Sequence, residues 1–371
     1  MRVLSVQMRD FRTYARAEAQ LGSSLTVVYG PNGAGKSNLL EAIYFGCTSR
    51  SPRTRNDREL VRFGASATRV VVTVEDEHER HELSVGLQIH GEGRAEKLIA
   101  RDGARLERPL ESEQRPLLSV FAPDRLDLVK GPPALRRAHL DQFVSGLWPV
   151  RAATRREYAR VLAQRNALLG RIRTGSASRA TISTWDRELA RSALELSADR
   201  AAAVGLLEQH LAPQARQLGC QGELAVTYRP RSRARGEEGF VAELQSRLTT
   251  DLERGYTGHG PHRDELAIVR DGRELRVFGS QGEQRLALLA LLLAERAALE
   301  GQRRRMPLML LDDVMSELDS ERRELLAAEL LRDGQSVIAT TDLAHVPGAG
   351  EAHVTRLRVS PGTVLGEAVA A

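Results

Sequence analysis

The stretch Gly30-Pro-Asn-Gly-Ala-Gly-Lys-Ser37 decides how this chain is read. It fits the phosphate-loop pattern G-x-x-x-x-G-K-[ST]. An apolar β-branched run, LTVVY, precedes it and a helix-forming run, NLLEAIYF, follows it. A strand, a glycine turn and a helix start together point backbone N–H groups and the positive end of a helix dipole at an anion. Gly33 and Gly35 permit the inward turn, Lys36 reaches the β and γ phosphate oxygens, and the Ser37 hydroxyl can ligate Mg²⁺. The candidate ATP-binding residues are therefore Gly30, Pro31, Asn32, Gly33, Ala34, Gly35, Lys36 and Ser37. The competing explanation, an incidental glycine turn, does not account for the strand before it and the helix after it.

Outward from this loop the texture stays mixed. VLSVQM near the N-terminus alternates like a strand, a helix is expected over 38–47, and RVVVTV (69–74) and LSVGLQI (83–89) read as further strands. Asp102-Gly103 marks a hairpin turn between 97–101 and 105–106. From Pro132 the sequence becomes rich in Ala, Leu, Arg and Glu, with helices expected over 134–146, 152–173 and 181–211, closed by Pro213 and the Gly219–Gly222 stretch. A helix near 240–253 and a hairpin, ELAIV and ELRVF around Asp271-Gly272, follow. The last hundred residues alternate helix (283–300), strand (308–311), helix (319–331) and strand (336–340), the rhythm of a parallel sheet. The expected fold class is α/β, with one lobe split between 1–130 and 256–371 and a mainly helical insert over 131–255.

Composition bounds the alternatives. A chain of 371 residues, 42% hydrophobic and 28% charged, can bury a core of about two domains and is neither disordered nor a small disulfide scaffold. Two cysteines, Cys47 and Cys220, make no disulfide framework or Cys-based zinc site, which fits a reducing cytoplasm. The longest apolar run, Leu286 to Ala294, falls short of the ~20 residues of a membrane span, and the charged N-terminus lacks a secretory core.

Two more segments carry chemistry. Leu308-Met-Leu-Leu-Asp312-Asp313 is an apolar strand ending in two carboxylates. Beside a phosphate loop, Asp312 suits the metal side and Asp313 a general base or water-orienting role. Taken alone, the pair reads equally well as a turn or helix cap. Ser280-Gln-Gly282-Glu-Gln284 opens a helix and could present amides and a hydroxyl to an anion, or could be an ordinary capping box.

The order of these pieces resembles the ABC-type ATPases of the SMC branch, and within it the RecF family of bacterial replication, repair and recombination proteins. The matching segments are FRTY (11–14), GPNGAGKSNLLEAIY (30–44), FAPDRLDLVKGPPALRRAHLD (121–141), GPHRDEL (260–266), GSQGEQR (279–285) and LLDDVMSELD (310–319). The resemblance implies an ABC/SMC-type head with an inserted helical lobe. It also implies ATP and Mg²⁺ as cofactors, and a homodimer in which Ser280, Gly282 and Gln284 act on the ATP of the second copy, Asp319 lying near the seam. It further implies slow hydrolysis by Lys36, Asp312 and Asp313, assistance to recombinase loading, and RecR- and RecO-like partners. Asp313 stands where most ABC ATPases have glutamate, the strand SVIATTD offers no switch histidine, and FAPD lacks the usual glutamine. The resemblance leaves His262 and Arg263 of GPHRD without a role, as structural ion-pair residues or as contacts to nucleotide or DNA.

Charge by region points to DNA. Residues 131–255 hold 20 basic and 13 acidic side chains, a net of +7 inside a chain of +5. Arg136, Arg137, Arg151, Arg155, Arg156 and Arg160 crowd the start of the insert, and the 151/155 and 156/160 spacings share a helix face. With few aromatics interleaved, duplex backbone contact at gaps or single-strand/double-strand junctions is expected over base stacking, although a merely solvated arginine helix has the same pattern. An ABC transporter subunit is disfavoured by the basic insert, and a structural SMC protein by the absence of heptad arms. A nuclease fusion is disfavoured because only about fifty residues follow LLDDVMSELD.

Overall fold

The computed structural model describes residues 1–76, 79–90, 95–107 and 114–367, without the side chains of Pro123 and Asp124 in the FAPD segment. The chain divides into two compact units, 1–125 with 217–219 and 299–371, and 126–216 with 220–298.

Two six-stranded sheets build the first unit. The antiparallel one has the order β2 (Tyr14–Gln20), β1 (Arg2–Phe11), β4 (Ala67–Asp76), β5 (Glu79–Ile89), β6 (Ala95–Arg101), β7 (Ala104–Leu106). The other has the order β15 (Thr363–Glu367), β14 (Thr355–Ser360), β3 (Leu25–Tyr29), β13 (Ser336–Thr340), β12 (Leu308–Asp312), β8 (Leu118–Phe121). Its five strands β14, β3, β13, β12 and β8 run parallel, and β15 turns back antiparallel. Helix α1 (Lys36–Thr48) packs on both sheets, so residues 39–47 are almost all buried in a core shared with Val70, Val72, Leu310 and Val337. A Cβ at Gly46 would come 2.3 Å from Val72 Cγ2, so glycine lets this helix lie against β4. The β3–α1 crossover and the parallel partners β12 and β13 are those the sequence rhythm indicates. The weaker strands β2, β14 and β15 carry no comparable apolar run and emerge only from pairing.

In the second unit α2 (Asp127–Lys130) and α3 (Pro133–Leu147) lead into α4 (Ala152–Arg173) and α5 (Ile182–Gln217). They are followed by α6 (Glu237–Ser246), α7 (Leu248–Arg254) and a small sheet, β11 (Arg273–Glu274), β10 (Glu265–Arg270), β9 (Leu224–Arg229). Three expectations change here. Helix α5 continues past Pro213 to Gln217, because Leu211, Ala215 and Leu218 are buried and hold the last turns despite the missing N–H. The expected strand ELRVF stops at Glu274, and α8 (Leu275–Phe278) coils instead, its turn closed by the Gly279 N–H on the Leu275 carbonyl. The expected boundary at 255/256 gives way to one inside α9 (Gln281–Arg303), because β10 pairs along its whole length with β9 of the helical unit. The charge partition survives the move. Residues 256–298 hold six basic and six acidic side chains, leaving the second unit at +7 and the first at −2.

Candidate nucleotide site and its relatives

The phosphate loop is shaped by close backbone approach. Gly35, at φ +116°, has its carbonyl bonded by the Tyr14 hydroxyl at 2.9 Å, and an added Cβ would meet that oxygen at 2.7 Å. Tyr14 is fully buried, and burial raises its phenol well above the ordinary range, so it stays a neutral donor. The FRTY segment is thus a brace for the loop and its helix. Arg12 forks onto Glu41 of α1, Asn38 donates to the Thr13 hydroxyl, and Ser51 and Arg53 also bind Glu41.

The chemical groups converge on the end of β12. Lys36 Nζ donates to the carbonyls of Gly30 at 2.8 Å and Pro31 at 3.0 Å, curling along the loop it serves. Burial pulls its ammonium below the usual lysine range, opposed by the charges of Asp313 and Asp312. Burial pushes the Asp312 carboxyl up, Asp313 adds to this, and a hydrogen bond from Ser37 with the charges of Arg53 and Lys36 works against it. Asp313 sits at φ +52°, its N–H on the Ala339 carbonyl at 3.0 Å, and its Oδ1 is buried without a hydrogen-bond partner. Strained backbone and an unsatisfied carboxylate oxygen beside a lysine are the marks of a functional position.

These groups fit a Mg²⁺-nucleotide. Lys36 lies along the loop carbonyls, Ser37 and Asp312 already touch, and Asp313 Oδ1 is buried without a hydrogen-bond partner among the described residues. Mg²⁺ is commonly held by one or two carboxylates plus substrate phosphates, which is the donor set here. Arg53 belongs to this neighbourhood and was missed in the sequence, since nothing in the loop SPRTR marks one arginine over another.

The signature segment is assembled within the second unit. The Ser280 N–H donates to Glu283 Oε2 at 2.8 Å and the Glu283 N–H returns to Ser280 Oγ at 3.4 Å, a capping box on α9. Gln284 is buried, and its amide donates to the carbonyls of Leu275 and Gly279, bracing the turn. Gly282 has nothing within 4 Å of an added Cβ. Asp319 caps α10 (Ser320–Arg332), accepting from the Arg322 N–H at 2.9 Å.

Chain-wide comparison agrees with this geometry. The profile described as RecF/RecN/SMC N terminal domain matches residues 2–354. The chain is 36% identical over 357 residues to the DNA replication and repair protein RecF of Heliobacterium modesticaldum, covering 93% of each. It belongs to the RecF family. The RecF of Streptomyces avermitilis is 36% identical over 389 residues, covering 98% of this chain and 99% of that protein. A solved structure described as the recombination mediator protein RecF with ATPrS in the RecFOR pathway superposes with a TM-score of 0.86 at 27% identity, covering 99% and 98% of the two chains. A RecF–ATP structure described in the same terms gives 0.85 at 26%. An Smc head bound to part of ScpA gives 0.58 at 15% identity, a likeness of fold alone.

Within this RecF-family chain the expected DNA-facing arginines are largely engaged. Arg136 is 3% exposed and forks onto Glu265, so it is a structural residue and not a surface contact. Arg137 donates to the Asp264 carbonyl, Arg151 pairs with Asp199 at 3.0 Å, Arg155 with Asp141 at 3.2 Å and Arg160 with Glu157 at 2.6 Å. Only Arg156 of the six is exposed with no such partner among the described residues. Periodicity placed 151/155 on one face correctly, but that face looks onto carboxylates of its own unit. GPHRD is the hub of that unit. His262 Nδ1 accepts from the Tyr158 hydroxyl at 2.6 Å and its Nε2–H donates to the Thr257 carbonyl at 2.9 Å, which fixes one neutral tautomer. The Asp264 carboxylate takes Tyr228, the buried Arg200 and the Arg231 N–H.

Among the described residues no helix is long and apolar enough to cross a membrane.

Proposed function

We propose that this chain is an ATP-gated DNA-binding protein of replication and recombination repair, working in the cytoplasm. It binds duplex DNA at gaps or single-strand/double-strand junctions and assists recombinase loading with RecO- and RecR-like partners. The observation that carries the ATP part is the convergence of Lys36, Ser37, Asp312 and the unsatisfied Asp313 oxygen at the end of β12.

In this reading residues 30–37 hold the phosphates, Lys36 leaves its loop carbonyls for the β and γ oxygens, and Ser37 with Asp312 holds Mg²⁺. Mg²⁺ would neutralise charge building on those oxygens. Asp313 orients the attacking water, and its short side chain suits slow turnover, so hydrolysis acts as a release switch more than as bulk catalysis. Ser280 and Gly282 contact the nucleotide of a second copy, with Gln284 holding their turn and Asp319 at the seam. The open space at Gly282 supports such a close approach. ATP then joins two copies, and loss of the γ phosphate releases them.

Sizing with and without ATP and duplex tests this reading. Lys36→Arg should lose ATP binding, Asp313→Asn should accumulate an ATP-dependent dimer, and Ser280→Arg should bind nucleotide but stay monomeric. Turnover by a monomer indifferent to Ser280→Arg would overturn the shared site.

A further inference from the structure

A cleft in the helical unit is lined by arginines that are not among the six expected to touch DNA. Arg231, Arg254, Tyr256, Gly258 and Arg263 line an open cleft of about 320 Å³. The three arginines are exposed, and among the described residues no carboxylate lies within ion-pair distance of their guanidiniums. That contrasts with Arg136, Arg151, Arg155, Arg160, Arg165, Arg191, Arg200 and Arg229 of the same unit, each paired with Asp or Glu.

Asp264 and Asp251 beside the cleft are engaged by other groups. Asp264 spends one oxygen on the Arg231 N–H at 2.7 Å and the other on Tyr228 and Arg200, so it anchors the backbone of Arg231 without neutralising its side chain. Asp251 accepts from the Gly258 N–H at 2.9 Å and from buried Arg165, and Asn166 accepts from both the N–H and the hydroxyl of Thr257. These bonds hold the backbone at Thr257 and Gly258, between Tyr256 and Arg263. Arg263 lies over the Tyr256 ring, 5.6 Å from its centroid, and the Arg173 guanidinium packs against Gly255 on the rim. Holding several like charges together is unfavourable unless an anion joins them.

We propose that this cleft binds successive phosphates of a nucleic-acid backbone, through the guanidiniums of Arg231, Arg254 and Arg263, with the Tyr256 ring against an adjacent sugar or base. It rests on the DNA-binding reading above and moves the contact from the arginines at 136–160 to the loops at 230–236 and 254–263. The Arg263 of GPHRD thereby acquires a ligand role, while His262 and Asp264 position it.

Duplex binding by the full chain, followed by anisotropy of a labelled 30-base-pair DNA across a salt series, tests it. Each phosphate contact contributes about −0.9 to the slope of log affinity against log salt. The triple variant Arg231→Gln/Arg254→Gln/Arg263→Gln should lose at least about tenfold in affinity near 0.15 M salt and flatten the slope by about 2 to 3. ATP affinity and melting temperature should stay near wild type, since among the described residues these three side chains make no ion pair and their largest internal contact is that of Arg263 with the Tyr256 ring. Arg191→Gln, which only breaks a surface pair with Glu188, serves as the control and should bind like wild type. A triple variant with wild-type affinity and slope would overturn the cleft while leaving DNA binding intact. Wild type that binds no duplex at all would instead overturn the broader reading. Competition by inorganic phosphate or a free nucleotide at micromolar concentration, matching the duplex, would show a small-anion site and overturn the backbone assignment.

Discussion

The Arg12 guanidinium forks onto the Glu41 carboxylate, Nε to Oε2 at 2.9 Å and Nη2 to Oε1 at 2.8 Å, with the glutamate side chain wholly buried. This pair ties the β1–β2 hairpin to the helix that starts at the phosphate loop. Removing one partner leaves an under-compensated buried charge. Arg12→Ala should therefore cost about 3 kcal/mol in a denaturant titration. Replacing both by Arg12→Met/Glu41→Leu should cost less than the sum of the two single changes, and additive costs would show that the pair is not coupled.

Gly35 permits an approach no side chain can share. Gly35→Ala forces a Cβ toward the buried Tyr14 hydroxyl at a backbone angle of φ +116°. The expected outcome is a loss of about 1 to 3 kcal/mol in stability and a drop in ATP affinity of more than about tenfold, read by calorimetry. Tyr14→Phe removes only the hydrogen bond to the Gly35 carbonyl and should cost about 1 kcal/mol.

His262 makes the helical unit sensitive to acid. Burial first, and then the charges of Arg263 and Arg137, hold its imidazole below the ordinary histidine value, while the Thr257 carbonyl and Asp264 oppose them. The unfolded chain takes up a proton near pH 6.5 that the folded chain refuses. This contribution is therefore intact above that value and falls away as the pH drops through and below it. Melting temperatures at pH 8 and pH 5.5 should diverge more for wild type than for His262→Asn, and parallel losses in both would refute the assignment.

Gln284 holds the signature turn through the carbonyls of Leu275 and Gly279. Gln284→Ala should leave nucleotide affinity near wild type, weaken the ATP-dependent dimer measured by sedimentation, and cost about 1 to 2 kcal/mol. Equal losses in nucleotide affinity and dimerisation would place the glutamine in direct contact with ATP.

Much of the first unit was legible because its signals are local. The octet 30–37, the apolar runs at 25–29, 308–312 and 336–340, and the Asp102-Gly103 turn each encode their conformation in adjacent residues. Strands β2, β14 and β15 were not legible, since short, partly polar segments become strands only when a partner edge is present. The segment ELRVF misled for the same reason: its alternation suits a strand, yet capping and the Gln284 bonds draw 275–278 into a helical turn. The arginines misled most. Spacing at the start of α4 relates Arg155 to Arg151 just before it, but only folding brings Asp199, from α5, and Asp141, from α3, against them.

The sequence by itself determined the phosphate loop, the order of the nucleotide-site segments, the parallel rhythm around them and the excess of positive charge between residues 131 and 255. These follow from residue type and short spacing, which act through neighbours along the chain. Only the tertiary structure decided which charges are free. Pairing Arg136 with Glu265, or Arg200 with Asp141 and Asp264, joins residues 59 to 129 positions apart. Among the described residues Arg231, Arg254 and Arg263 have no such pairing, for a reason no local pattern contains: electrostatic neutralisation depends on distance in space.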